Sequence, residues 1–369
     1  MLREKEKKLG VLRKMKILLL CVVAVLGLAL LCSDGNKRPI RGFASSYHFD
    51  GEKFYNPTLP EGFDPTLLDI LRMLREERAR WPKRVPNLGN PRLEEELKKG
   101  SAALTFVGHA TFLIQLQGLN ILVDPVWSER ASPVSWAGPR RVREPALKQD
   151  DLPRIDVVLI THNHYDHLDM DTLSALSRRF SPLVLAPLGD GNLLKSYGIN
   201  DVIEMDWWES VKLDYHTQIT FTPVQHTSGR SLFNRARSLW GSFFIKQDGI
   251  SLYLGGDSGY SRHYLEIAER LGPPDVALLP IGSYLPRWFM QPVHMDPKEA
   301  IKAHNDLKAK VSIGMHFGTF QLSAEGFHQP VEELKEALKE GLLAGGRFIV
   351  LNEGDTFIYP KDMGTVSLR

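Results

Sequence analysis

Cysteine is scarce in this chain of 369 residues: Cys21 and Cys32 are the only two, and both lie in one N-terminal apolar stretch. The rest of the chain therefore has neither a disulfide framework nor a thiol nucleophile. Charge of either sign is not in excess. Lys and Arg number 46 against 44 Asp and Glu, a net charge of +2, and much of the basic surplus sits within Met1–Lys16. Such a balance creates no field to gather nucleic acid, and no nucleic-acid partner is expected. Beyond the N-terminus there is no internal repeat and no low-complexity run.

What the N-terminus does have is a pattern. Lys and Arg crowd Met1–Lys16, with Glu4 and Glu6 the only acids, and Ile17–Cys32 is apolar or small throughout. A basic flank before an apolar run is the signature of a secretory signal or a signal-anchor. No small-x-small cleavage site follows, so an uncleaved anchor is expected. The run is short for a full span, which tilt or local bilayer thinning accommodates. The basic side stays in the cytoplasm, so the remainder is expected outside it, on the periplasmic side in a bacterium. The expected division is a basic segment over 1–16, an anchor or signal peptide over 17–32, an extension wrapping the core over 33–95, and the main domain over 96–369.

Apolar content of 43% and charged content of 24% suit a globular domain. In the extension, Asp64-Pro65 reads as a helix start, with Leu67, Leu71 and Leu74 on one stripe that packs on the core or else meets a partner, and Trp81-Pro82 as the stop. From Ala103 onward, β-branched and apolar runs alternate with helical patterns. Strands are expected at 104–107, 111–116, 120–123, 155–160, 182–186, 202–205, 219–224, 243–245, 251–254, 276–280, 311–314, 348–351 and 356–359. Helices are expected at 169–179, 262–271, from Asp296-Pro297 onward, and at 331–343. Strands alternating with helices in two halves point to an α/β sandwich of two sheets with helices outside.

The chemistry concentrates at strand ends. After Ile155–Ile160 comes Thr161-His162-Asn163-His164-Tyr165-Asp166-His167-Leu168-Asp169. Imidazole and carboxylate are the ligands zinc takes where cysteine is absent. His162 and His164, two apart on extended chain, can face one ion, while Asp166 and His167 come at the turn and can reach a second. Other strands deliver Asp124, His226, Asp257 and His316 at their ends, so that separated segments can converge on one sheet edge. Asp124 is a candidate hydrogen-bond partner for a metal-bound histidine. His109, in Gly108-His109-Ala110, is either such a partner or a turn residue. Trp207-Trp208 either packs internally or lines a groove.

These motifs, with Asp124-Pro125-Val126, Leu239-Trp240-Gly241-Ser242, Gly256-Asp257-Ser258-Gly259-Tyr260, the loop 280–290 with its Pro286-Arg287-Trp288-Phe289-Met290, and His294-Met295-Asp296-Pro297, carry a resemblance. From about Phe49 to Tyr359 the chain resembles the metallo-β-lactamase superfamily. Within it, the chain is similar to the branch of N-acyl-phosphatidylethanolamine-hydrolysing phospholipase D and its bacterial relatives.

The resemblance implies an αββα sandwich and a site for two zinc ions. His162, His164 and His226 would hold one ion; Asp166, His167 and His316 the other; Asp257 would bridge them. It implies hydrolysis of N-acyl-phosphatidylethanolamine, or a related phospholipid, to an N-acylethanolamine and phosphatidic acid. Asp257 and His294 would be catalytic, with Tyr165 and His294 touching the polar head. For His294, capping of the following helix is the bland alternative. Val293 stands where the animal enzymes carry glutamine, a departure beside the head-group contact. Trp288, Phe289 and Met290 either hold acyl chains or pack the loop. The partners implied are a phospholipid and a membrane surface, with room for a homodimer. A lactonase or other ester hydrolase on the same centre competes with this reading, as does a non-catalytic, membrane-anchored metal-dependent sensor. Iron or manganese could occupy similar ligands.

Overall fold

The computed structural model describes residues 46–59, 63–231 and 233–364. The basic segment and the expected anchor lie outside these residues. No helix among the described residues is long and apolar enough to cross a membrane.

Two seven-stranded sheets form the body. In the first, β1 (Ala102–Gly108), β2 (Thr111–Leu116) and β3 (Leu119–Val123) make an antiparallel meander. Then β4 (Val157–Leu159), β5 (Leu183–Pro187) and β6 (Val202–Met205) add in parallel. In the second, β7 (Ser210–Lys212), β8 (Thr217–Thr222), β9 (Ser242–Gln247) and β10 (Ile250–Leu254) pair antiparallel. There β11 (Val276–Pro280), β12 (Val311–Met315) and β13 (Arg347–Ile349) continue in parallel. Strand β14 (Thr356–Tyr359) returns to the first sheet beside β1. The parallel strands β4, β5, β11 and β12 are buried along nearly their whole length because both of their faces are covered.

Phe106, Phe112, Leu159 and Leu185 of one sheet meet Phe221, Phe243, Leu252 and Ile313 of the other in the central core. Outside the first sheet, α2 (Met170–Phe180) sets Leu173 and Leu176 against Val158 and Val184. Outside the second, α4 (His263–Leu271), α6 (Pro297–Leu307) and α7 (Gln329–Lys339) lay Ile267, Ile301 and Leu334 on Tyr253, Ala277 and Leu279. The order is helices, sheet, sheet, helices, as the alternation of patterns predicts. Asp169 caps α2, and Asp296 with Glu299 forms a capping box for α6 behind Pro297.

Some elements differ from expectation. Helix α1 (Leu67–Leu74) starts after Thr66, whose side chain forms a capping box with Asp69, while Asp64 faces Arg235 at 3.7 Å. It stops at Leu74 because the chain beyond runs extended along the domain: Ala79 N–H donates to Ala324, Val85 to Val142 and Gly89 to Glu353. Leu68, Leu71 and Leu74 do not enter the core, being 77%, 39% and 54% exposed. Strand β7 and the short helices α3 (Gly191–Ser196) and α5 (Arg287–Met290) escape a reading by periodicity. Trp207 and Trp208 pack internally, the latter under Arg270 at 4.2 Å.

Candidate metal centre

Each candidate ligand stands where a strand runs out. His162, His164, Asp166 and His167 follow β4, His226 follows β8, Asp257 follows β10 and His316 follows β12. The strands end on one edge of the sandwich, so the two sheets present their ligands to each other. The approach is tight: a Cβ on Gly256, next to Asp257, would lie 2.7 Å from the Gly241 carbonyl oxygen. Only glycine fits there.

Hydrogen bonds behind the cluster fix which nitrogen each ring turns inward. The Asp124 carboxylate accepts from His167 Nδ1 at 2.7 Å, from the Thr161 hydroxyl at 2.6 Å and from the Thr161 N–H at 2.8 Å. Thr161 Oγ1, its hydrogen given to Asp124, accepts from His162 Nδ1 at 3.0 Å. The Val293 carbonyl accepts from His226 Nδ1 at 2.9 Å. Carbonyls and carboxylates only accept, so these three rings carry hydrogen on Nδ1 and direct Nε2 at the cluster. Asp124 does this from a left-handed backbone, φ 40°.

The inward atoms gather. His162, His164 and His226 bring their ligand atoms within 4.8 Å of one another, and so do His109, Asp166, His167 and His316. Asp257 stands between the two sets: Oδ1 is 3.1 Å from His316 Nε2, and Oδ2 is 3.2 Å from His167, 3.8 Å from His226 and 3.9 Å from His162. His294 Nδ1 lies 4.0 Å from the same oxygen.

The charge of the cluster explains what it needs. Burial disfavours charge on His162, His164 and His226 and holds all three neutral, His164 down to about 4. Burial would push Asp257 up, yet His316 and His167 outweigh it and hold the carboxyl well below the usual range; Asp166 behaves likewise beside His167. The positive charge these carboxylates demand falls on His167 and His316 against the cost of burying it, with His316 raised to about 9 by Asp257 and Asp166. His167 Nε2 and Asp257 Oδ1 are buried without a directed hydrogen bond among the described residues. Neutral imidazoles, ionised carboxylates and orphaned inward atoms are the donor set of a divalent cation, which competes for the place of those protons.

Beside the cluster, Tyr165 faces a cleft of about 910 Å³ that Asn163, Asp190 and Arg230 also line. Arg230 covers the Tyr165 ring at 3.8 Å and donates to the Asn163 and Leu168 carbonyls at 3.0 and 2.8 Å. It thus spans the loop that bears four candidate ligands. Arg230 escapes a reading of the sequence because nothing in its polar loop marks it. His109 shares the strand-end placement of the ligands, and that is the signal which points to it.

A family model described as "Beta-lactamase superfamily domain" matches residues 119–317, over half of the chain. The chain belongs to the metallo-β-lactamase superfamily. It is 39% identical over 246 residues to N-acyl-phosphatidylethanolamine-hydrolyzing phospholipase D 1 of Caenorhabditis elegans, a match covering 63% of this chain and 69% of that protein. A metal-dependent hydrolase of Caldivirga maquilingensis is 31% identical over 257 residues, 70% of this chain and 98% of its own length. Among solved structures, a metallo hydrolase from the archaeon Ignicoccus hospitalis superposes with a TM-score of 0.53 at 26% identity, covering 70% of this chain and 98% of that one. The chain is a metal-dependent hydrolase of this superfamily.

Proposed function

We propose that this hydrolase is a phosphodiesterase of the phospholipase D type. It would cleave N-acyl-phosphatidylethanolamine or a related phospholipid into an N-acylethanolamine and phosphatidic acid. His162, His164 and His226 would hold one zinc ion; Asp166, His167 and His316 the other; Asp257 would serve both. Bound there, the ions supply a water acidic enough to act as nucleophile near neutral pH and offset charge on phosphoryl oxygens.

The observation that carries the lipid reading is one loop with two chemistries. Its end brings His294 to 4.0 Å from Asp257, with Nδ1 buried and without a hydrogen bond among the described residues. Its middle, α5, displays Trp288, which is 41% exposed, under Arg72 at 4.4 Å, and Phe289 against Phe63 at 5.8 Å. A head group beside the cluster and acyl chains beside α1 and α5 would use both ends of this loop. Asp296, not His294, caps α6, so capping does not account for His294. Tyr165, pinned by Arg230, presents its ring to the polar cleft where a head group would lie. The similarity to the worm phospholipase D supports the same substrate class. An N-terminal anchor would hold the domain at the membrane, outside the cytoplasm.

The test is product analysis by mass spectrometry. Metal-loaded, detergent-solubilised protein is incubated with mixed phospholipids that include N-acyl-phosphatidylethanolamine, beside an Asp257→Ala control. Metal-dependent appearance of N-acylethanolamine and phosphatidic acid, lost in the control, is expected. No lipid cleavage by protein with its metal bound would overturn the reading in favour of a lactonase or another ester hydrolase.

A further inference from the structure

His109 lies in the turn between β1 and β2, 2% exposed, with a left-handed backbone at φ 58°. A turn that needs this conformation ordinarily takes glycine or asparagine. A plain turn role therefore leaves a buried imidazole unexplained. His316 is left-handed too, at φ 62°, and its N–H donates to the His109 carbonyl at 2.8 Å. The His109 side chain meets the second ligand set from the other direction: Nε2 lies 2.9 Å from Asp166 Oδ2. An ionised carboxylate only accepts, so Nε2 carries the hydrogen. Nδ1 is then a lone pair, which suits its lack of a hydrogen bond among the described residues.

We infer that His109 is a positioning residue, fixing Asp166 through its side chain and His316 through its backbone without binding an ion itself. This rests on the reading of the cluster as a metal centre. Distance alone would admit His109 as a fourth ligand, since its ligand atom lies within 4.8 Å of those of Asp166, His167 and His316. The placement decides otherwise: His167 and His316 reach both Asp166 and Asp257, between which an ion would be held, whereas His109 Nε2 meets only Asp166 among the carboxylates of the described residues. That nitrogen makes the shortest of three imidazole contacts to Asp166 Oδ2, against 3.2 Å for His316 and 3.4 Å for His167. Its contribution is to hold one carboxylate oxygen while the rest of the set closes, as hydrogen-bond partners of metal ligands commonly do.

The experiment uses the full chain in detergent, stripped by chelation and titrated with Zn²⁺ and, separately, Co²⁺. Wild type is compared with His109→Phe, which keeps a ring and loses the donor, and His109→Gln, whose amide N–H falls near the place of Nε2–H. Both variants bear the same left-handed strain, so their difference isolates the donor; melting curves check that each is folded. In His109→Phe the second ion is expected to bind about 10- to 100-fold more weakly. His109→Gln should recover most of that loss. At saturation the visible absorption of the Co²⁺ forms should be the same in all three, because the ligands are unchanged. A saturated His109→Phe spectrum of altered coordination would make His109 a ligand and overturn the inference. Unchanged affinity in His109→Phe would reduce it to a turn residue. Equal weakening in both variants would also overturn it. Wild type that takes up no ion would overturn the metal reading, and this one with it.

Discussion

At the scale of single residues, two buried histidines illustrate opposite uses of one side chain. His294 is packed against His226 and His316 and keeps Nδ1 without a hydrogen bond among the described residues. A buried polar atom left unpaired costs about 1–3 kcal/mol, which a substrate contact would repay. His294→Ala is therefore expected to keep its metal content, read by elemental analysis, while kcat/KM on N-acyl-phosphatidylethanolamine falls about 10- to 100-fold. Unchanged kinetics would leave His294 a packing residue. His263, by contrast, is fully committed: buried at the start of α4, with Nδ1 2.5 Å from Ser261 Oγ and its ring 4.0 Å from that of Tyr264. Burial pulls its pKa from 6.5 down to about 3. The folded chain keeps it neutral while the unfolded chain takes up a proton below about pH 6.5. Protons thus favour the unfolded state between those values. The contribution is whole above pH 6.5 and is lost progressively as pH falls toward about 3, reaching about 2 kcal/mol by pH 5. Denaturant melts of wild type and His263→Gln at pH 7 and pH 5 should show the wild type losing more stability between them. Equal losses would mean that His263 titrates normally when folded.

At the scale of elements, α1 is where sequence and structure part. Its leucines recur at helical spacing, and such a stripe ordinarily faces a core. Here Ile70 and Met73 are half-buried, while Leu68, Leu71 and Leu74 are exposed. Periodicity reports that a face is apolar; it does not report what covers it. The strands were more legible, since five buried runs lead to a histidine or aspartate of the site and the two-sheet arrangement follows from their alternation with helices. Convergence of those ends was legible for the same reason. Of the contacts that hold them, Asp124 beneath His167 was legible as a carboxylate at a strand end, but Arg230 and Thr161 were not, because they act across loops whose spacing encodes no geometry. The exposed leucines lead to a prediction. Beside the proposed N-terminal anchor, α1 would orient the domain on a bilayer rather than attach it. Leu68→Ser combined with Leu71→Ser and Leu74→Ser should leave stability within about 0.5 kcal/mol per site, as solvent-facing changes do. Hydrolysis of lipid in vesicles should fall several-fold, while a short-chain substrate dispersed in detergent is turned over as before. Equal loss on both substrates would show that α1 acts on the site itself, and no loss on vesicles would remove it from the lipid surface.

At the scale of the whole molecule, the centre lies across the join of the two sheets. His162, His164, Asp166 and His167 belong to the first sheet's loops, and His226, Asp257 and His316 to the second's. The central core holds the sheets together by apolar contact, but at this edge the facing groups are imidazoles and carboxylates, all but His164 buried. Without a cation, holding two ionised carboxylates there requires protons on His167 and His316, charges that burial itself opposes. A divalent ion would satisfy the same carboxylates and tie one sheet to the other. Metal binding is then also folding free energy, about 4 kcal/mol when free ion exceeds its dissociation constant a thousandfold. Chelation is expected to lower the melting temperature by roughly ten degrees, given the usual few degrees per kcal/mol in a domain of this size. Adding zinc back should restore it. Asp257→Ala, which lacks the carboxylate facing both ligand sets, should melt lower at the outset and respond weakly to either treatment. An unchanged melting curve in wild type, with removal of the metal verified by elemental analysis, would mean that the two sheets meet at this edge without help from an ion.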